Sequence, residues 1–388
     1  MLYDICGGDA ERVHDLTLSR LHNQNGFERL VTRVVGSLFF TPSENLMIEI
    51  KGIRIALPFG TAAGMDKDCE ALLPFSHIFG FQEPGTIVVP IRKGNDKPRI
   101  APIESLWDIV NAQGFPSKGK NYAEHNLRNY RTNGGKGIIF ANICGLPILE
   151  SHAIAIANYE MENLITELNS HVNGFVWNPF SPNTDALKLL RQPSVFYDTA
   201  QLMRQSAGDD RPILVKIGPY ESNEGKYTLG LVRSFLNGGG DGVVTTNTKM
   251  VQKEELPEGI RETWGYKSAG RSGAFLRDYR MRSVRDIRME FPDCVIVATG
   301  GIDSTEDAYE TILYGANLEE FYTPLIYRGT GLVRELSRGL SDLLRRRGTT
   351  LADLQTEVTR NAWDGTLDHF AESMMSMAAI RSQMQTRI

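Results

Sequence analysis

Eight short apolar runs, separated by helical stretches, constrain this chain more than any other feature of its sequence. The runs are 55–62, 81–88, 137–142, 174–178, 213–217, 242–246, 295–299 and 319–325. Most are near-continuous rather than alternating, the pattern of parallel strands buried on both faces. Helical stretches fall between them at 153–168, 194–205, 229–237, 276–289 and 304–313. Parallel neighbours need long crossovers, and eight βα units in one chain close a TIM (β/α)8 barrel with its site at the C-terminal strand ends. The expected organisation is a barrel over residues 51–350, an N-terminal helical segment over 1–50 and a C-terminal helical tail over 351–388.

The connections at 90–130 and 249–271 are too long for plain βα loops, so each is expected to form a lid or small subdomain over the barrel mouth. In the first segment, Phe27, Leu30, Val31, Val34, Val35, Leu38 and Phe39 repeat at helical spacing, with Arg29 and Arg33 off that face. Such a helix lies on an anionic membrane surface or packs onto its own protein, and periodicity alone does not choose. The Met-rich end, Met374, Met375, Met377 and Met384, reads as a packing helix, with a partner-binding tail as the other option. A net charge of −5 argues against nucleic acid as a partner. Cys6, Cys69, Cys144 and Cys294 are scattered, which suits a reducing compartment and is neither a disulfide framework nor a metal site. No run is long enough to span a membrane, and the first residues lack the pattern of an export signal.

The strand ends carry the chemistry. After the fourth run comes Asn178-Pro179-Phe180-Ser181-Pro182-Asn183-Thr184, whose prolines forbid regular structure and leave amides and hydroxyls on a bent loop. Alone, that loop is an ordinary Asx/Ser turn. Other ends add Ala62-Ala63-Gly64 with Lys67, then Gly85-Thr86, Asn142, Lys216 and Thr246-Asn247-Thr248. Asparagines and lysines without an acidic residue make a site for a polar, electron-rich or anionic ligand. Ser272-Gly273, Gly300-Gly301 and Tyr322-Thr323 fall where such barrels gather backbone N–H groups around a phosphate. A phosphate cradle beside small residues and a lysine suggests FMN.

These motifs together resemble the dihydroorotate dehydrogenases, and specifically their class 2, membrane-associated, quinone-reducing members. The resemblance rests on A-A-G-M-D-K at 62–67, G-N-D-K-P-R at 94–99, N-x-x-G-F at 111–115, S-P-N-T at 181–184, L-V-K-I at 214–217, T-N-T at 246–248, R-S-G at 271–273, T-G-G-I-D-S at 299–304 and Y-T at 322–323. The early D-A-E-R-V-H at 9–14 is similar to the helical segment of class 2 members. The resemblance implies FMN-dependent oxidation of (S)-dihydroorotate to orotate in pyrimidine biosynthesis, with electrons passed to a quinone. It implies Ser181 as the base, with Lys67, Asn111, Phe115, Asn178, Asn183, Asn247 and Thr248 holding substrate. For the cofactor it implies Ala63, Gly64, Lys67, Thr86, Asn142, Asn178, Lys216 and Thr246, with Ser272, Gly273, Gly300, Gly301, Tyr322 and Thr323 at the phosphate. It implies a protein peripherally attached on the cytoplasmic side of a membrane, the inner membrane if bacterial, with a soluble cytoplasmic protein as the other reading.

The chain departs from the family pattern at four places. Pro179-Phe180 precede the serine where a small residue is usual, Pro102 stands where the quinone tunnel has an arginine, and Ile143-Cys144-Gly145 follow Asn142. The tail beyond about residue 360 has no family counterpart. These departures keep open a paralogue acting on another cyclic amide, or using another acceptor. A non-catalytic FMN-binding barrel is a further alternative, opposed by the intact Ser181 and Lys67.

Overall fold

The computed structural model describes residues 9–24, 26, 28, 31, 32, 34, 36, 42–148 and 152–385. Its strands in chain order are β1 (Ile48–Ile50), β2 (Ile53–Ile55), β3 (Phe59–Thr61), β4 (Phe81–Gln82), β5 (Ile100–Ile103), β6 (Asp108–Asn111), β7 (Ile138–Ile143), β8 (Gly174–Trp177), β9 (Ile213–Ile217), β10 (Gly242–Thr245), β11 (Lys249–Gln252), β12 (Ser268–Gly273), β13 (Val295–Thr299) and β14 (Leu318–Phe321). Strands β3, β4, β7, β8, β9, β10, β13 and β14 pair in parallel in that order, and β14 returns to β3 to close a TIM barrel. Helices cover its outside with their apolar stripes inward. In Ala153–Leu168, for example, Ala153, Ala157, Met161, Leu164, Ile165 and Leu168 are buried, the i, i+4 rhythm of a core-facing helix.

Three strand boundaries differ from the sequence reading. The run at 55–62 is two strands, because Pro58 interrupts it: Ile55 closes the β1–β2 hairpin and the barrel begins at Phe59. The run at 81–88 pairs only through Gln82 before Pro84 and Gly85 bend the chain, with Ile87 returning as an isolated bridge to Ile143. The run at 319–325 stops at Phe321, and Thr323–Arg328 is helix with proline in its first turn. The two long connections form one structure. Strands β11, β12, β6 and β5 make a four-stranded antiparallel sheet over a second small core of Ile103, Val110, Ala112, Val251, Leu256, Trp264 and Ala269.

The N-terminal segment holds a helix at Ala10–His22, and its last residues belong to the β1–β2 hairpin. Of the apolar repeat at 27–39, Val31 and Val34 are helical and exposed, while Phe27, Leu30, Val35, Leu38, Phe39, Arg29 and Arg33 lie outside the described residues. Glu11 fastens the first helix to the body. It is buried, and its carboxylate accepts hydrogen bonds from Arg99 Nε at 3.1 Å and Nη2 at 2.7 Å. Arg99 also donates to the carbonyls of Lys93 and Asn95. Glu11→Ala is therefore expected to cost about 3 kcal/mol, the low end for breaking a buried pair, because the two carbonyls still hold Arg99. A lowered Tm with new protease cleavage around residues 9–24 is the expected readout; unchanged Tm and cleavage would exclude this anchoring role.

The end of the chain packs on the barrel. Helix Leu351–Trp363 starts at a Thr350–Asp353 capping box, and helix Leu367–Gln385 follows. Among the described residues, no helix is long and apolar enough to cross a membrane.

Candidate active site

The C-terminal ends of the barrel strands and the antiparallel sheet enclose a cavity of about 1100 Å³, counted to its open mouth. Every sequence-predicted site residue except Asn142 lines it: Ala63, Gly64, Lys67, Thr86, Asn111, Phe115, Asn178, Ser181, Asn183, Lys216, Thr246, Asn247, Thr248, Ser272, Gly273, Gly300, Gly301, Tyr322 and Thr323. Asn142 lies fully buried behind the wall, where its Nδ2 donates to Glu83 Oε1 at 2.8 Å.

The amides form two short chains. Asn247 Nδ2 donates to Asn178 Oδ1 at 3.0 Å, and Asn178 Nδ2 donates to Thr86 Oγ1 at 2.9 Å. Across the cavity, Asn183 Nδ2 donates to Asn111 Oδ1 at 2.9 Å, and Asn111 Nδ2 to the carbonyl of Gly270. Each amide is thus oriented by its neighbour, so the remaining donors and acceptors have fixed directions. Asn111 comes from β6, which explains why the sheet is part of the site.

Ser181 sits in the bent loop after β8, in the cavity wall. Phe180 does not line the cavity. Its ring packs edge-on against Phe196 with centroids 6.3 Å apart, and the Arg191 guanidinium lies 4.6 Å from its centre. Arg191 Nε also donates to the carbonyl of Pro179 at 3.0 Å. The bulky Pro179-Phe180 pair anchors the loop from behind and leaves the cavity clear. The Thr184 hydroxyl is buried without a hydrogen-bond partner.

Two lysines reach the cavity in different states. Lys67 is partly open to it, and its ammonium makes no hydrogen bond or ion pair among the described residues. Burial lowers its pKa, with Asp15 and Glu11 opposing. Lys216 is buried, 3.0 Å from Glu83 Oε1 and 3.8 Å from Glu320 Oε2. The expected absence of acidic groups is therefore corrected: Glu320 lines the cavity and Glu83 lies beneath it.

The glycines are required by their surroundings. Gly273, Gly300 and Gly301 have φ of +106°, +107° and +68°. A Cβ on Gly273 would come within 2.3 Å of the Trp107 carbonyl oxygen. Bare backbone at these positions, with Ser272 Oγ 2.9 Å from Thr323 Oγ1, makes a concave, donor-rich corner suited to a phosphate.

A second cavity adjoins the first through Ile100 and Ile109. It is mainly apolar, walled by Ala10, Val13, Leu18 and Leu21 of the first helix, by Phe75, Ile78 and Phe79, and by Pro102, Leu325 and Tyr327. His14 faces it, with Nε2 2.8 Å from the Met65 carbonyl oxygen. Burial, then the charge of Lys67, lowers the His14 pKa, with Asp15 and the Met65 carbonyl opposing.

Of the four cysteines, Cys69, Cys144 and Cys294 are free and buried, and Cys6 lies outside the described residues.

Residues 45–344 match the dihydroorotate dehydrogenase family. A relative named dihydroorotate dehydrogenase (quinone) from Deinococcus radiodurans is 32% identical over 378 residues, covering 89% of this chain and 96% of its own. One of the same name from Roseiflexus castenholzii is 31% identical over 369 residues, covering 92% and 95%. The structure of ligand-free DHODH from Eimeria tenella superposes with a TM-score of 0.72 at 25% identity, covering 85% of this chain and 98% of that one. By sequence and by barrel, this chain belongs to the dihydroorotate dehydrogenase family.

Proposed function

We propose that this protein oxidises (S)-dihydroorotate to orotate with FMN as cofactor and a quinone as electron acceptor. The observation that carries the reading is a single cavity in which Ser181, two oriented asparagine pairs, Lys67 and a glycine-built phosphate corner all face inward.

The residues fit FMN. The corner at Ser272, Gly273, Gly300, Gly301, Tyr322 and Thr323 would hold the phosphate, and Ala63, Gly64, Thr86, Asn178, Lys216 and Thr246 would surround the ring and ribityl chain. Asn142 would act through Glu83 rather than by touching the cofactor. Bound flavin supplies a hydride acceptor. The chain's own residues do the rest. Asn111, Asn178, Asn183, Asn247 and Thr248 hold the pyrimidine by its amide edges, beside Phe115, and the Lys67 ammonium meets its carboxylate. Ser181 Oγ takes the C5 proton. A serine hydroxyl is a poor base alone, so the proton needs a relay, and the buried Thr184 hydroxyl three residues on, which has no other partner among the described residues, is the candidate to receive it through a water. Ser181 would remove its proton from the substrate face turned to the β8 loop, and FMN held by the residues above would supply the hydride acceptor.

The apolar second cavity supports the quinone reading, because it leads from the first helix to the wall shared with the active site. Pro102 gives the second cavity an apolar face where an arginine was the family expectation. The three segments divide the work: 1–50 gives acceptor access and peripheral attachment on the cytoplasmic face of a membrane, 51–350 performs the chemistry, and 351–388 packs. The protein as purified is expected to be yellow and to bleach on anaerobic addition of dihydroorotate. Ubiquinone or menaquinone should restore the colour, and fumarate or NAD+ should not. Flavin that stays oxidised with dihydroorotate would refute the substrate; recolouring by fumarate alone would refute the acceptor.

A further inference from the structure

Three ionisable side chains from three parts of the barrel meet at the cavity floor. They are Glu83 after β4, Lys216 on β9 and Glu320 on β14. All three are buried. Lys216 Nζ lies 3.0 Å from Glu83 Oε1, which also accepts from Asn142, and 3.8 Å from Glu320 Oε2. Counted as carboxylates, Glu320 has no hydrogen-bond partner at either oxygen, and Glu83 has none at Oε2. An ionised carboxylate left bare in such a place is strongly disfavoured.

Charge counting gives the same result. One ammonium and two carboxylates sum to −1, and one proton on the acidic pair brings the sum to zero. That proton also converts orphaned oxygens into a donor and an acceptor, since Glu320 has Glu83 within hydrogen-bonding reach. Burial, then the neighbouring Glu83, pushes Glu320 well above the ordinary carboxylate range, with Lys216 opposing. Burial lowers the pKa of Lys216, but the two acids outweigh it and keep the ammonium charged. The ionisable groups that face Glu320 are these two. Glu319, next along the strand, is likewise pushed well above the ordinary carboxylate range by burial, with Arg280 opposing and Asp307 adding, but its neighbours are in the helical layer and not at the cavity floor.

We propose that Glu320 is a positioning residue for the anionic ligand of this cavity: it carries one proton, and that proton keeps the floor around Lys216 electrically neutral. The proposal rests on the FMN reading, because a neutral floor admits a phosphate-bearing flavin and a carboxylate substrate that a negative floor would repel. It makes the pair a pH-sensitive element of cofactor retention. Below the point where Glu320 loses its proton the floor is neutral; above it the floor carries −1 and anion affinity falls.

Two measurements test this. Infrared difference spectra of the FMN-loaded protein at neutral pH should show a protonated-carboxyl C=O band in the wild type that is absent from Glu320→Gln. It should also vanish in Glu83→Gln, where Glu320 becomes the only counter-ion of Lys216 and ionises. Carboxyl absorption from Glu319 is common to both proteins and cancels in their difference; a wild-type minus Glu320→Gln spectrum with no carboxyl band would overturn the proposal. The second measurement is the dissociation constant of FMN from the apoprotein against pH. The wild type should weaken by about tenfold along an alkaline limb, as one added charge near the ligand requires, and Glu320→Gln should lack that limb. Identical profiles would overturn the proposal. Protein that binds no FMN at any pH would instead sink the cofactor reading, and the infrared band of the unloaded protein would still decide the proton on Glu320.

Discussion

Ser181→Ala is expected to lower kcat for dihydroorotate oxidation by roughly 10²–10⁴-fold, the range over which a positioned general base acts. Bound FMN and KM should change little. The substitution removes one hydroxyl from the cavity wall and leaves its loop held by two prolines, by the Phe180–Phe196 contact and by Arg191 on the Pro179 carbonyl. A fall in kcat without a matching rise in KM is the sign of an interaction made only in the transition state. Stopped-flow flavin reduction under anaerobic conditions isolates this step from reoxidation. Ser181→Cys gives the complementary result. A thiol ionises near pH 8.5, so its flavin-reduction rate should rise through about pH 8–9. Wild-type reduction rates in Ser181→Ala would remove Ser181 from the mechanism.

The barrel was legible because strands buried on both faces must be apolar throughout, and such runs stand out against the helices between them. Its boundaries were less so, since single prolines end strands in ways that composition does not show: Pro58 before β3, Pro84 after β4 and Pro324 after β14. The sheet over the mouth was hidden for a different reason. Its strands come from two distant connections, and β6 pairs residues 108–111 with 270–273 of β12, a contact that local periodicity does not encode.

At the site, loop residues and strand-end amides were readable because polar groups after an apolar strand have few other reasons to be there. Glu83 and Glu320 were missed. A glutamate is ordinarily a surface residue, and only the closed barrel shows that these two converge on Lys216 from different strands. The available signal was an acid inside a run whose every other position had to be buried. Asn142 was placed one layer too close to the ligand, since periodicity gives the strand end but not the side chain standing in front of it. The place of Phe180 was not readable, because its direction depends on Phe196, sixteen positions on and in another element.

Cutting the chain after residue 350 is expected to prevent stable folding, although the active-site residues all precede the cut. The removed helices bury Leu351, Leu354, Val358, Leu367 and Met374 against the barrel. At roughly 1.5–3 kcal/mol for each large apolar side chain, five of them contribute on the order of 10 kcal/mol. That is an upper figure, because the unfolded chain already buries part of this surface, yet it is comparable with the whole stability of an ordinary domain, about 5–15 kcal/mol. Polar ties add to it. Arg285 holds Asp368 through two hydrogen bonds of 2.6 and 2.5 Å, and Gln355 Nε2 donates to the Asn317 carbonyl at the turn before β14. The second tie matters for function, because β14 carries Glu320 and leads into Tyr322 and Thr323. A chain ending at 350 should accumulate as insoluble protein, or unfold well below the full-length Tm and bind no flavin. A soluble 1–350 protein with full-length Tm and FMN content would show that the tail rests on the barrel without supporting it, and would return it to the role of a partner-binding extension.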